Sequence, residues 1–94
     1  MKVRAKLWGI PTIDRPSKYE NEIQLEFDGC TVKDLIQHLL SKIEPKNRNL
    51  VVDEKGKISP ELAILINGKI VSESNRFNRQ IRGGDFIELI LAPG

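Results

Sequence analysis

The sequence is poor in the residues from which catalytic and metal centres are built. It holds one cysteine and one histidine in 94 residues. Cys30 alone closes no internal disulfide, so no disulfide framework and no oxidising compartment is implied. His38 has no second ligand type arranged around it, so no metal site is assigned. Aromatic residues make up only 5% of the chain, which leaves aliphatic side chains to fill the core. The formal charge is +2, too small to imply a nucleic acid or a membrane by itself. No apolar run is long enough to span a bilayer, and the opening MKVRAKLWG has no apolar signal segment. A cytoplasmic protein with no membrane partner is expected. What remains is ordinary for a globular chain, 39% hydrophobic and 30% charged. With no repeat or low-complexity stretch, residues 1–94 read as a single domain.

One segment has the period of a helix. In Thr31–Glu44, TVKDLIQHLLSKIE, residues Val32, Leu35, Ile36, Leu39, Leu40 and Ile43 fall on one face. Thr31 is placed to cap its start, with Asp34 three residues on completing a capping box. Cys30 before the cap and Leu35 inside it would form a hydrophobic staple, and Cys30 reads as a small buried hydrophobe. Pro45 ends the helix. His38 lies four residues after Asp34 on the polar face and reads as a solvated pair with it.

The rest of the chain has the alternation of strands. Lys2–Trp8 points Val3, Ala5 and Leu7 one way and Lys2, Arg4, Lys6 and Trp8 the other. Glu22–Asp28 alternates Ile23, Leu25 and Phe27 with acidic and amide residues. Side by side these two would make opposite-charge cross-strand pairs. Leu50–Val52 and Ile58, around the turn Asp53-Glu54-Lys55-Gly56, suggest a small irregular hairpin. Glu61–Ile66 is almost wholly apolar, and Asn67-Gly68 after it is a strong type I′ hairpin signal returning through Ile70-Val71. Residues 72–82 read as a loop, polar except at Phe77 and Ile81, that has room for a turn of helix. Gly83-Gly84-Asp85 is a tight turn leading into a last strand, Phe86–Leu91, apolar on both faces, with Ile87, Leu89 and Leu91 on one and Phe86, Glu88 and Ile90 on the other.

The order is β-β-α-(β)-β-β-β. It predicts an α+β fold, a mixed sheet of four to five strands packed on one main helix over residues 31–44. That arrangement is the β-grasp, with first and last strands parallel and central. Residues 92–94 form a short free tail.

The segment ELAILINGKIV, a polar loop, and then IRGGDFIELILAPG resembles the ThiS/MoaD family of ubiquitin-like sulfur carriers. Asn67-Gly68 matches the hairpin that ends a strand in that family, and Gly84-Asp85 the turn that opens its last strand. Pro93-Gly94 stands where the family has its short terminal tail. VVDEKGKISPEL resembles the connection in archaeal-type MoaD relatives. The resemblance covers essentially the whole chain. It implies a carrier and not an enzyme. The terminal carboxylate, here on Gly94, is adenylated by an E1-like enzyme that uses ATP, and is then converted to a thiocarboxylate. No cofactor is bound by the carrier itself. Further partners implied are a MoaE-like synthase subunit or a sulfurtransferase, serving molybdopterin, thiamine or tRNA thiolation.

Glycine suits a tail that threads a narrow channel, where a Cβ would collide with the walls. Family members end in Gly-Gly, and this chain ends in Pro93-Gly94. Proline fixes φ and offers no N–H to an enzyme groove, so Pro93 alters how the tail threads. Three readings stay open: a further glycine beyond Gly94, activation through a single glycine, or a β-grasp relative that no longer carries sulfur. A ubiquitin-like modifier or a protein-binding module without sulfur transfer is the alternative function.

Two surfaces also stand out. Ala63, Leu65, Phe86 and Ile90 would share the outer sheet face, a candidate docking surface unless the segment Pro45–Pro60 folds over it. In relatives this face meets the activating enzyme. Arg76, Arg79 and Arg82 with Phe77 form a small basic patch, for which a solvated loop is favoured over RNA.

Overall fold

A computed structural model describes residues 2–13, 20–72 and 74–91. Five strands form one sheet: β1 (Lys2–Trp8), β2 (Glu20–Glu26), β3 (Leu62–Ile66), β4 (Lys69–Ile70) and β5 (Phe86–Leu91). Their order is β2-β1-β5-β3-β4. β1 runs antiparallel to β2 and parallel to β5, while β3 is antiparallel to both β5 and β4. The first and last strands therefore lie at the centre and run the same way, as the sequence pattern predicts.

Alternation decides which face each strand buries. Val3, Ala5 and Leu7 of β1 are buried, as are Leu62 and Ile64 of β3 and Ile87 and Leu89 of β5. They meet Val32, Leu35, Ile36 and Leu39 of the helix in one core. The predicted charge complementarity between β1 and β2 is present in register, with Lys2 opposite Glu26 and Lys6 opposite Glu22. An ion pair runs diagonally, Arg4 to Glu22 at 3.5 Å with both side chains about half exposed. At that exposure it contributes roughly 0.2–1 kcal/mol at most. β2 begins and ends two residues earlier than its pattern predicts, and Phe27 beyond it is still buried.

The helix departs from expectation in length. α1 spans Val32–Leu39, and the chain then tightens into a 3₁₀ turn at Leu40–Lys42. Ile43 is extended yet buried, so its place in the apolar period comes from the core and not from a helix face. Pro45 bars its predecessor from helical geometry, and a second 3₁₀ turn runs Pro45–Leu50. Ser41 Oγ donates to His38 O at 2.8 Å and Arg48 Nε to Leu40 O at 3.1 Å, taking up carbonyls the shortened helix leaves open.

The start of α1 forms as predicted. Thr31 Oγ1 accepts from Asp34 N–H at 3.2 Å, and Asp34 Oδ2 accepts from Thr31 N–H at 3.1 Å. Asp34 Oδ2 also accepts from Cys30 N–H at 3.0 Å. Cys30, in contrast, is exposed while Leu35 is fully buried. The hydrophobic staple is absent, and Cys30 is not a core residue. The backbone bond to Asp34 fixes Cys30 by its N–H and leaves the thiol outside. Asp34 is spent on the cap instead of on His38, whose ring lies half-buried against Phe27 with centroids 5.8 Å apart.

Between the helix and β3, Val52 bridges Ile58 across the predicted turn. Val51 and Ile58 are buried in the same core, so Pro45–Pro60 packs inward instead of over the outer sheet face. Asn67 and Gly68 both have positive φ, 52° and 82°, as the predicted hairpin requires. The loop after β4 contains a 3₁₀ turn at Arg76–Asn78 and buries Ile81.

Candidate functional site: the outer sheet face and the root of the tail

β5 carries the chain toward its end between two ladders. Leu89 pairs with Leu7 on one side and Ile64 on the other, and Leu91 lies opposite Leu62. Gly9, just past β1, lies close against this point. A Cβ added there would stand 3.2 Å from Leu91 O, and φ is +78°, so glycine lets the loop pass close against the end of β5. The predicted tail residues 92–94, with Pro93 and Gly94, lie outside the described residues.

The face opposite the helix holds the four predicted docking residues. Ala63, Leu65, Phe86 and Ile90 are all half-buried and none belongs to the core. Ala63 is opposite Ile90, and Trp8 flanks Ile90 from β1. Leu65 is opposite Ile70, which is 67% exposed, the most exposed large apolar side chain among the described residues. Ile70, Leu65, Ala63, Ile90 and Trp8 thus form an apolar band across four strands. An apolar band on a sheet face outside the core is a candidate docking surface.

The band is not uniformly apolar. Glu88, between Phe86 and Ile90 on β5, accepts a hydrogen bond from Trp8 Nε1 at 3.1 Å. Lys6 Nζ lies 4.4 Å from the centroid of Trp8, and the Arg4 guanidinium 4.9 Å from that of Phe86. Each aromatic ring is thus fixed by a cation from β1, a contact of about 0.5–1 kcal/mol at exposed positions. Trp8, Glu88 and Ile70 were not among the predicted docking residues. Period-two alternation already placed Trp8 and Glu88 outward. Ile70 follows only once the hairpin register puts it opposite Leu65.

Other candidate chemistry is sparse. Asp34 is held below the ordinary carboxylate range, first by the Cys30 N–H, then by the Thr31 side chain and the Thr31 N–H. Those contacts are structural, at a helix cap. Among the described residues no group of three His, Cys, Asp or Glu side chains gathers to hold a metal. Among the described residues no helix is long and apolar enough to cross a membrane. Arg76 packs over Phe77 at 4.4 Å and donates to Pro60 O at 2.9 Å, so part of the predicted basic patch is engaged within the fold.

Known proteins align with this chain over three quarters or more of its length. A candidate sulfur carrier protein of Archaeoglobus fulgidus is 27% identical over 71 residues, covering 76% of this chain and 80% of that protein. The crystal structure of SAMP1 from Haloferax volcanii superposes with a TM-score of 0.74 at 17% identity, covering 100% of this chain and 98% of that one. A candidate molybdopterin converting factor subunit 1 from Pyrococcus furiosus gives 0.59 at 25% identity, covering 99% of both chains. These folds are ubiquitin-like β-grasp domains, as the strand order here requires. The sequence profile of the ThiS family matches residues 12–94, and the chain belongs to that family of small sulfur carriers, which are acted on by partner enzymes and are not enzymes themselves.

Proposed function

We propose that this protein carries sulfur on the carboxylate of Gly94. A separate E1-like enzyme binds the tail and ATP. A carboxylate oxygen attacks the α-phosphorus, pyrophosphate leaves, and an acyl-adenylate results. A hydrosulfide equivalent from a sulfur donor then attacks the acyl carbon and displaces AMP, leaving the thiocarboxylate. The observation that carries this reading is the family match, which extends through the last residue, Gly94. The strand geometry supports it: β5 is locked on both sides, so a tail after Leu91 starts from a rigid base. The apolar band around Leu65, Ile70 and Ile90 is the surface we assign to the activating enzyme. A MoaE-like subunit or a sulfurtransferase is the partner class for the next transfer. Among molybdopterin, thiamine and tRNA thiolation, the likeness to the Pyrococcus furiosus protein favours molybdopterin. The cytoplasm, where ATP and reduced sulfur are both available, is the compartment this chemistry needs.

The test is to incubate the chain with the E1-like enzyme of the same genome, ATP and sulfide. Intact mass then shows one oxygen exchanged for sulfur, and a chain lacking Gly94 shows no change. An unchanged mass for the intact chain, together with no ATP–pyrophosphate exchange, sinks the proposal.

A second reading has its own support. The highest superposition among the solved structures described above is with SAMP1, a name that stands for small archaeal modifier protein 1. If this chain is a modifier, its Gly94 carboxylate is joined to lysines of other proteins. Extracts would then contain conjugates that vanish when Gly94 is removed.

A further inference from the structure

β2 closes one edge of the sheet, and its outer side takes no strand among the described residues. The register fixes which backbone groups it leaves open. Arg4 N–H donates to Asp85 O at 3.1 Å, and Gly84 N–H donates to Lys2 O at 2.8 Å. Even-numbered residues of β1 thus turn their backbone groups to β5, and Val3, Ala5 and Leu7 turn theirs to β2. Their partners on β2 are Leu25, Ile23 and Asn21. Glu22, Gln24 and Glu26 therefore point their N–H and C=O groups outward, away from the sheet. No proline or bulge interrupts this edge over Glu20–Glu26. The side chains of Glu22, Gln24 and Glu26 are exposed, while Ile23, packed against the core, is only half-buried. Glu22 meets Arg4 at 3.5 Å. Among the described residues, the Gln24 and Glu26 side chains make no hydrogen bond or ion pair.

We propose that this edge accepts an extended segment of a partner protein, paired antiparallel to β2, with lysine or arginine at every second residue and aliphatic residues between. The open backbone groups supply the pairing, and the side chains supply the choice. A residue opposite Glu22 or Glu26 places its side chain on the same face, about 4.5–5.5 Å away. Lys2 and Lys6 stand on the other side of β2, two strand spacings or roughly 10 Å from the incoming side chain. That distance exceeds the Debye length at physiological salt, so the nearer acid decides the sign. The residues between fall on the inner face, where an aliphatic side chain covers the open flank of Ile23. A second copy of this chain fits less well. Two β2 strands paired antiparallel about Gln24 set Glu22 against Glu26 twice, with like charges directly opposite. The acids guard the edge against self-association and leave it open to a basic strand. The tail follows Leu91 on β5, and β1 lies between β5 and β2. A partner held here leaves the tail free, so one protein can tether the chain while another acts on its terminus. The binding itself does not depend on the sulfur-carrier reading; only its use as a tether does.

The experiment uses the full chain, isotope-labelled, titrated with a short capped peptide of alternating lysine and valine. In the free chain the amides of Glu22, Gln24 and Glu26 exchange with solvent faster than those of Ile23 and Leu25. The expected result is saturable shifts along β2, with exchange at Glu22, Gln24 and Glu26 slowed by about tenfold or more and that at Ile23 and Leu25 little changed. The affinity falls as salt rises. A peptide of alternating glutamate and valine does not bind. Methylating the lysine amide nitrogens keeps the charge, removes the donors and abolishes the protection. Glu22→Lys with Glu26→Lys weakens binding by about tenfold, and Lys46→Glu on the Pro45–Leu50 turn leaves it unchanged. The spectrum of each variant reports its fold. Shifts without protection of the three amides, equal affinity for the methylated peptide or for the double variant, or pairing of two copies of this chain through β2 overturns the proposal. A chain lacking Gly94 protects the same amides, so failure here and failure of thiocarboxylate formation are read separately.

Discussion

Asn67 and Phe86 hold each other by two hydrogen bonds. Asn67 N–H donates to Phe86 O at 2.7 Å, and Phe86 N–H donates to Asn67 Oδ1 at 2.9 Å. The same carboxamide donates through Nδ2 to Asp85. Asn67 therefore does more than tolerate the left-handed conformation of a turn: it ties the β3–β4 hairpin to the start of the strand that leads to the tail. Asn67→Gly keeps the turn geometry and loses only the side-chain bonds, costing about 1 kcal/mol. Asn67→Ala loses the bonds and adds left-handed strain, for about 2 kcal/mol in all. Urea unfolding separates the two. If Asn67→Gly is as stable as the native chain, the carboxamide contributes nothing.

Gly29 sits against the cap of α1. A Cβ there would meet Asp34 Cβ at 2.7 Å and Phe27 Cε2 at 3.1 Å. Asp34 Cβ is fixed to the helix backbone and cannot swing aside, so Gly29→Ala must displace the first turn or the Phe27 ring. The expected result is a melting temperature lower by several degrees, with loss of the slow amide exchange at Thr31 and Cys30. Unaltered exchange at those two amides would show that the cap accommodates the methyl group.

The same cap sets a pH dependence. The Asp34 carboxyl is held below its ordinary range, chiefly by the Cys30 N–H. In the unfolded chain it returns to about 3.9. A carboxyl depressed by folding stabilises the fold above its unfolded value, and that stabilisation is lost as pH falls through the folded value. The stability difference between the native chain and Asp34→Asn is therefore constant near neutral pH and disappears under acid conditions. Urea midpoints across that range check it. A difference that persists when both side chains are uncharged would place the effect in geometry instead of charge.

How far the sequence was legible depended on how local the cause was. Strand alternation in β1 and β5, the Asn67-Gly68 turn and the Thr31–Asp34 cap are short-range signals, and all formed as read. The parallel pairing of β1 with β5 followed from the element order. Helix length was misread because Ile43 keeps the helical period while belonging to the core by another route. Cys30 is exposed although its residue type favours burial, because the bond from its N–H to Asp34 Oδ2 orients it, and that bond is visible only in the folded chain. Within the candidate site, outward residues on one strand were readable. The coupling of Trp8 to Glu88, 80 residues apart in sequence, needed the register.

Exposure of Cys30 has a direct consequence. The thiol is exposed and its backbone is anchored. The native chain reacts with one equivalent of a thiol reagent without unfolding, and Cys30→Ser changes stability by no more than about 0.5 kcal/mol. A native protein that reacts only when denaturant is added would put the side chain back in the core.

The apolar band carries the last prediction. Ile70 is 67% exposed and outside the core, so Ile70→Glu leaves folding within about 0.5 kcal/mol of the native value. Leu65→Lys places a charge opposite it in the same band. If the band docks the activating enzyme, each change raises the KM for adenylation of this carrier by about tenfold, equivalent to about 1.4 kcal/mol of lost contact, with kcat held. Lys46→Glu, away from the sheet, serves as the control and leaves both constants unchanged. A fall in kcat at constant KM would place the band in positioning the tail instead. Native kinetics in both band variants would remove this face from the interface.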